Sequence, residues 1–342
     1  MSCYTTVLMS VYNGEKYLRD AIDSILAQSY RDFEFVIYDD CSTDGTASII
    51  QSYSDPRIIY RRNSVNQGLT RNLADGLLRS KSRYIVRMDA DDIAYPHRLQ
   101  TQVMWMDEHP EISIAGSSVS YFCSKPGDGG ISTQPQDDAE IKAKLFINFT
   151  LMHPSIIIRR EDLITHQLNY NPDYRYSQDH ALYLDCIRYG LKFANISEPL
   201  LHMRSHAESI SKDKHTVQQE CSMRARFTFL QVTGIAKECD SNEISVYNNL
   251  ASGVYPDSVD TVHAYERFVN KICDNPYTAK YFDIDILRNL LAEALCDQAY
   301  CFISDKTRKK AALTARKLQL AKFTAKWPLK KKLKFIIKAI LK

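Results

Sequence analysis

Two runs of carboxylates stand out for the chemistry they could do: Asp39-Asp40, and Asp89-Ala90-Asp91-Asp92. Each follows an apolar, β-like run, residues 33–38 and 84–88 respectively. Carboxylates grouped this way repel one another, so a fold that gathers them must supply a cation or hydrogen-bond donors. Either run alone has an ordinary explanation, because Asp is also a common turn residue and helix cap. Two runs at neighbouring strand ends point instead to a functional site.

The elements that must hold these residues alternate. Residues 7–11 read as a strand, and 15–28 carry Leu18, Ala21, Ile22, Ile25 and Leu26 at helical spacing. A second strand over 33–38 runs into the first acidic pair, and Thr43 or Asp44 would cap the next helix. A short strand at 58–60, a helix over 69–78 and a strand over 84–88 follow. This rhythm implies βαβ units and a mainly parallel sheet, and such sheets bind ligands beyond the carboxyl ends of their strands. Further along, a strand is expected over 153–158, a helix over 181–189 led by Asp179, and a last short strand over 200–204. From about residue 218 the pattern is helical.

Composition bounds the function. The 342 residues are 44% hydrophobic and 25% charged, an ordinary globular balance. Apolar runs fall short of the roughly 18 residues a membrane span needs, and residues 1–9 do not read as a signal peptide. The nine cysteines lack CxxC pairs and read as reduced cytosolic thiols. The net charge of +3 conceals an asymmetry: 14 Lys/Arg and no Asp/Glu fall in 306–342, which leaves the rest near −11. An acidic body argues against nucleic acid as a partner. In the tail, Leu329, Leu333, Ile336, Ile337, Ile340 and Leu341 recur at helical spacing, with Lys330, Lys331, Lys334, Lys338 and Lys342 largely opposite. That pattern, with Trp327 beside it, reads as a basic amphipathic helix lying on an anionic membrane surface. The expected place is therefore cytoplasmic, peripheral on the inner face of the cell membrane.

Several segments, in order, resemble family 2 glycosyltransferases. They are Val7-Leu8-Met9-Ser10-Val11-Tyr12-Asn13-Gly14-Glu15, Ser24-Ile25-Leu26-Ala27-Gln28-Ser29-Tyr30 and Asp39-Asp40-Cys41-Ser42-Thr43-Asp44. Asn66-Gln67-Gly68, Asp89-Ala90-Asp91-Asp92, Tyr95-Pro96-His97-Arg98-Leu99, His153-Pro154-Ser155, Gln178-Asp179 and Arg204-Ser205-His206 continue the match. The resemblance covers roughly residues 4–212. It implies an α/β GT-A fold, a Rossmann-like mixed sheet flanked by helices, with a helical C-terminal region. The implied division is a catalytic domain over 1–215, a helical region over 216–305 and the basic tail over 306–342. The implied activity is inverting transfer of a sugar from a nucleotide donor, a UDP-sugar, to a hydroxyl of a lipid-linked or polysaccharide acceptor, in surface-polysaccharide assembly.

The same resemblance distributes roles. Asp91 would meet a divalent metal, Mn²⁺ or Mg²⁺, which hard oxygen ligands suit, and His206 would ligate that metal or donate to a phosphate oxygen. Asp89 would face the ribose and sugar, and Asp40 the base. Ser10, Tyr12 and Glu15 would line the nucleoside, with Arg71 a cation near it. Asp92 would cap the segment after it. Asp179 would be the general base. The family's usual Glu before that Asp is Gln178 here, so Asp179 lacks the adjacent negative charge that would raise its pKa. His153 would shape the acceptor side, while His202 reads equally as structural. A non-catalytic sugar- or lipid-binding protein is the first alternative, supported by Gln178 alone. A sugar nucleotidyltransferase is the second, although the Tyr12-Asn13-Gly14-Glu15-Lys16 loop has one Gly and one Lys where a Gly-rich, basic loop would hold a triphosphate.

Overall fold

A continuous apolar strand, β1 (Thr5–Val11), sits at the centre of a parallel group, with six of its seven residues buried. Strands covered on both faces read this way, without polar alternation. β2 (Phe33–Asp39) and β4 (Tyr84–Met88) flank β1, and β3 (Ile58–Arg62) lies outside β2, all parallel. Helices α1 (Leu18–Leu26), α2 (Thr46–Gln51) and α3 (Leu69–Arg79) make the crossovers. The computed structural model describes residues 4–205 except 124 and 127, and 215–304 except 238 and 255–258.

Beyond β4 the sheet becomes mixed. β5 (Ile93–Ala94), α4 (Arg98–Glu108), β6 (Ile114–Phe122), β7 (Ile131–Ser132), α5 (Asp138–Ile147), β8 (Ile157–Arg159), α6 (Arg160–Thr165), α7 (Gln178–Arg188) and β9 (Phe193–Arg204) follow. The strand order is β3-β2-β1-β4-β8-β6-β9-β5, with β7 paired to β6. The chain moves outward from β1 to β3 and then returns to the other side of β1. A reversal of this kind sets the topological switch point, where sheets of this class hold their ligand crevice, at the carboxyl ends of β1 and β4. This is the expected α/β mixed sheet flanked by helices.

Packing beneath the crevice is tight. Leu18, Ala21, Ile22 and Ile25 of α1 meet β1, β2 and β4 in one buried cluster. α3 approaches β1 through Gly76, where an added Cβ would lie 2.5 Å from Leu8 Cδ1. Leu8 is itself 1% exposed and has nowhere to retreat. Gly76→Ala should therefore destabilise the fold by about 1–3 kcal/mol, the usual cost of overpacking, which thermal unfolding would show as a lower Tm.

Three local expectations are corrected. His153–Ser155 is a 3-10 turn, not part of a strand, and only Ile157–Arg159 pairs. Pro154 has no N–H to give a sheet ladder. The short strand at 200–204 is the end of a twelve-residue strand, irregular in register opposite Ser117 and Ser118. Its exposed Ser197-Glu198 followed by Pro199 mimics a turn in the sequence. The N-cap of α2 is Gly45, although Asp44 Oδ1 still accepts from the Thr46 amide at 3.0 Å.

The chain divides into two units, Met1–Ile141 with Phe149–Ala225, and Lys142–Asn148 with the chain from Arg226. α8 (His215–Thr233), α9 (Ser241–Ala251), α10 (Val259–Asp274) and α11 (Ile284–Ser304) complete the described residues. A capping box starts α9: Asp240 accepts from the Glu243 amide at 2.8 Å, and Glu243 accepts from the Asp240 amide at 2.9 Å. Within the second unit Tyr247 stacks on Phe268 at 5.5 Å, and Leu287, Leu291 and Leu295 of α11 are buried. No described helix is long and apolar enough to cross a membrane. The basic tail over 306–342 lies outside the described residues.

Candidate active site

The loops after β1 and β2 are tied to each other. Asn13, at φ 52°, donates its amide to Ser42 Oγ at 3.0 Å, and its side chain accepts from the Thr43 amide at 2.9 Å. Asn tolerates this left-handed conformation better than other non-glycine residues. Gly14 donates to Thr46 Oγ1 at 2.9 Å, and Glu15 accepts from the Gly45 amide. The Glu15 carboxylate therefore supports the start of α2 in addition to any ligand role. Tyr12 is left outside this clamp, 52% exposed at the crevice end of β1.

Asp40 organises the neighbouring loop. It is buried, and its Oδ1 accepts from Asn63 Nδ2 at 2.7 Å and the Gln67 amide at 2.8 Å. Oδ2 accepts from the Gly68 amide at 2.8 Å. Asn63 also donates to Asn72 Oδ1 at 2.7 Å, and Asn72 donates to Ser10 Oγ at 2.9 Å. Ser10, Asn72, Asn63 and Asp40 thus form one chain of hydrogen bonds linking β1, β2 and α3. Asn63 and Asn72 were not legible as site residues, because an isolated Asn has many uses and nothing local marks a partner nine or 62 positions away. Gly68 has φ 87° and open space where a Cβ would stand, so this turn needs glycine for its backbone. Arg71 is exposed on the first turn of α3. Asp39 is enclosed, accepting from the Ser42 amide at 2.8 Å and Tyr60 Oη at 2.9 Å.

The second acidic run is a tight turn after β4. Carboxylate oxygens of Asp89, Asp91 and Asp92 all lie within 4.8 Å of one another. Burial, then repulsion from Asp89 and Asp91, pushes Asp92 well above the usual carboxylate range. Burial also raises Asp89, partly offset by the buried guanidinium of Arg87, with which it is ion-paired. Three hard oxygen donors converging at this spacing suit an octahedral divalent cation such as Mg²⁺ or Mn²⁺, so the residues present fit a metal. Asp92 does not cap the segment after it. Its Oδ1 accepts from the Arg204 amide at 2.9 Å, because β5 pairs with β9 in a register that sets Ile93 against His202. His206 lies outside the described residues.

Asp179 opens α7 and is partly exposed. Burial raises its pKa; amide donors from His180 and its own backbone pull it down, as does the charge of Arg87, while Asp89 pushes it up. The upward push therefore exists without an acidic neighbour in sequence. Gln178 is buried, and its Oε1 has no hydrogen-bond partner among the described residues. Beside this helix His153 Nε2 meets Tyr170 Oη at 2.9 Å, and burial followed by Arg87 drives the imidazole well down, hence neutral. His202 stacks on Tyr95 at 4.0 Å and bonds Ser120 Oγ through Nδ1 at 2.5 Å, a packing role.

Arg98 was legible only as part of a motif. It is fully buried and donates through Nη2 to the carbonyls of Arg87 and Pro154, at 2.8 and 2.9 Å. It thereby fastens the end of β4 to the His153–Ser155 turn. Burial lowers its pKa to about 9.

A sequence model of glycosyl transferase family 2 matches residues 6–166. The chain is 36% identical over 207 residues to an uncharacterised glycosyltransferase of Methanocaldococcus jannaschii, covering 58% of this chain and 70% of that one. It is 26% identical over 212 residues to the amylovoran biosynthesis glycosyltransferase AmsE of Erwinia amylovora, covering 60% and 78%. Among solved structures, S. aureus TarS 1–349 in complex with UDP-GlcNAc superimposes with a TM-score of 0.54 at 17% identity, covering 87% of this chain and 92% of that one. That likeness shows the GT-A fold.

Proposed function

The chain belongs to glycosyl transferase family 2, of the surface-polysaccharide type, and we propose that it moves a sugar from a UDP-sugar to an acceptor hydroxyl with inversion. The observation that carries this reading is the convergence of Asp89, Asp91 and Asp92 within 4.8 Å at the crevice, with Asp179 close enough to feel the charge of Asp89. Ser10, Tyr12 and Glu15 line the nucleoside side, Asp40 accepts from the base, and Arg71 offers a charge beside it. Asp40 already takes three donors, yet a carboxylate has about four lone-pair sites, so one position is left for a base N–H. The relative TarS has been crystallised with UDP-GlcNAc, which supports a uridine donor here.

Asp91, with His206, would hold Mn²⁺ or Mg²⁺. When bound, that ion neutralises charge on the departing diphosphate as a Lewis acid. Asp89, held by Arg87, faces the ribose and sugar. Asp179 takes the acceptor proton at its carboxylate oxygen on the face opposite the leaving group. Burial favours this, because a raised pKa makes the carboxylate a stronger base. The acceptor is a lipid-linked or polysaccharide hydroxyl. Incubating the full chain with a panel of UDP- and GDP-sugars plus Mn²⁺ tests the reading. Release of UDP from at least one sugar is expected, and no release from any donor would defeat it.

Attachment to the cytoplasmic membrane face follows from the tail. Each Lys near an anionic leaflet is worth about 1 kcal/mol, and the apolar stripe adds burial that salt does not screen. Deleting residues 326–342 should release the protein from anionic vesicles in a sedimentation assay while preserving hydrolysis of a soluble donor. Equal sedimentation of truncated and full-length chains would sink the attachment.

A further inference from the structure

Arg204 ends β9 with a side chain that is 8% exposed, yet it is neither core filler nor a surface charge. Its guanidinium lies between two rings, 4.2 Å from the centroid of Tyr17 and 4.4 Å from that of Phe122. From this position over both rings, Nε donates to the main-chain carbonyl of Asp91 at 2.9 Å. Nη2 reaches Asp20 Oδ2 at 3.3 Å, a contact open to solvent because Asp20 is 61% exposed. The Arg204 amide donates to Asp92 Oδ1 at 2.9 Å. One residue therefore grips the acidic turn twice, through the backbone of Asp91 and the carboxylate of Asp92.

We propose that Arg204 is the positioning residue of the acidic turn, fixing the Asp91 peptide so that the Asp91 carboxylate points to the divalent cation. The inference rests on the reading of Asp91 as a metal ligand and adds what sets its direction. Three mutually repelling carboxylates in a short turn would splay apart unless the backbone is held. The Nε hydrogen bond removes the rotation of the peptide after Asp91, and the amide hydrogen bond fixes Oδ1 of Asp92 against β9. Lys cannot replace this, because an ammonium neither stacks as a plane nor donates from a fixed direction. Groups that orient metal ligands from outside the coordination sphere typically change metal affinity by about 10–100-fold when lost.

Mn²⁺ binding to the full chain, followed by the loss of the free-ion paramagnetic resonance signal with UDP present, tests this apart from turnover. Arg204→Met, which keeps apolar bulk between the rings, should weaken Mn²⁺ about 10–100-fold, and Arg204→Lys should do nearly the same. Asp20→Asn should stay within about twofold of wild type, since an exposed pair contributes little. Excess Mn²⁺ should restore donor hydrolysis by Arg204→Met, which a general loss of structure would not allow. Equal Mn²⁺ affinity in Arg204→Met and wild type would overturn the proposal. A wild-type chain that binds no Mn²⁺ would instead defeat the metal reading, and the positioning role with it. Should Arg204→Met fail to fold, Phe122→Leu loosens the stacking while leaving the hydrogen bonds. A smaller loss of Mn²⁺ affinity supports the proposal there, and an unchanged value counts against it.

Discussion

Asp91→Asn is expected to abolish Mn²⁺-dependent turnover of the sugar donor while making the metal-free protein more resistant to heat. The two effects have one cause. Asp89, Asp91 and Asp92 lie within 4.8 Å of one another, and repulsion from Asp91 contributes to the raised pKa values of both neighbours. Removing one charge relieves that repulsion, so the apo Tm should rise. The same change removes the proposed anionic ligand, leaving the diphosphate leaving group without its counter-charge. Thermal shift with Mn²⁺ separates the terms. At a hundredfold excess over Kd a ligand adds about 2.7 kcal/mol of stability, and this gain should appear in wild type and vanish in Asp91→Asn. A variant that keeps both turnover and the Mn²⁺-dependent gain would remove Asp91 from the metal site.

Asp179→Asn should cut sugar transfer by about 10²–10⁴-fold, the span of a lost general base, with UDP affinity by calorimetry nearly unchanged. The pH profile adds a signed test. A base works only when ionised, and burial raises the Asp179 pKa above its ordinary value. Transfer should therefore be present at neutral pH and fall as pH drops through the raised value, above the ordinary carboxylate pKa of about 4. Gln178→Glu places a second carboxylate beside Asp179 and should move this acid limb upward. In Asp179→Asn the limb should disappear from the residual activity. Wild-type transfer by Asp179→Asn would assign the base elsewhere.

The sequence by itself determined the alternation of β1 to β4 with α1 to α3, because apolar periodicity is a local property of the chain. It also placed both acidic runs at strand ends, where sheets of this class bind ligands. What it left open depended on pairings between distant residues. The bond from Arg204 to Asp92 spans 112 positions and exists only because β5 and β9 pair antiparallel. Asn63 and Asn72 join the site through Asp40 and Ser10, on strands that the parallel crossovers bring side by side. Gln178 shows in the sequence that Asp179 has no acidic neighbour along the chain, but only the folded chain buries Asp179 and brings Asp89 to push its pKa up against the opposing charge of Arg87. Periodicity reports which face of an element is apolar, and it carries no information on register between strands. Register decides which charges meet and how far they are from water, and only the tertiary structure supplies it.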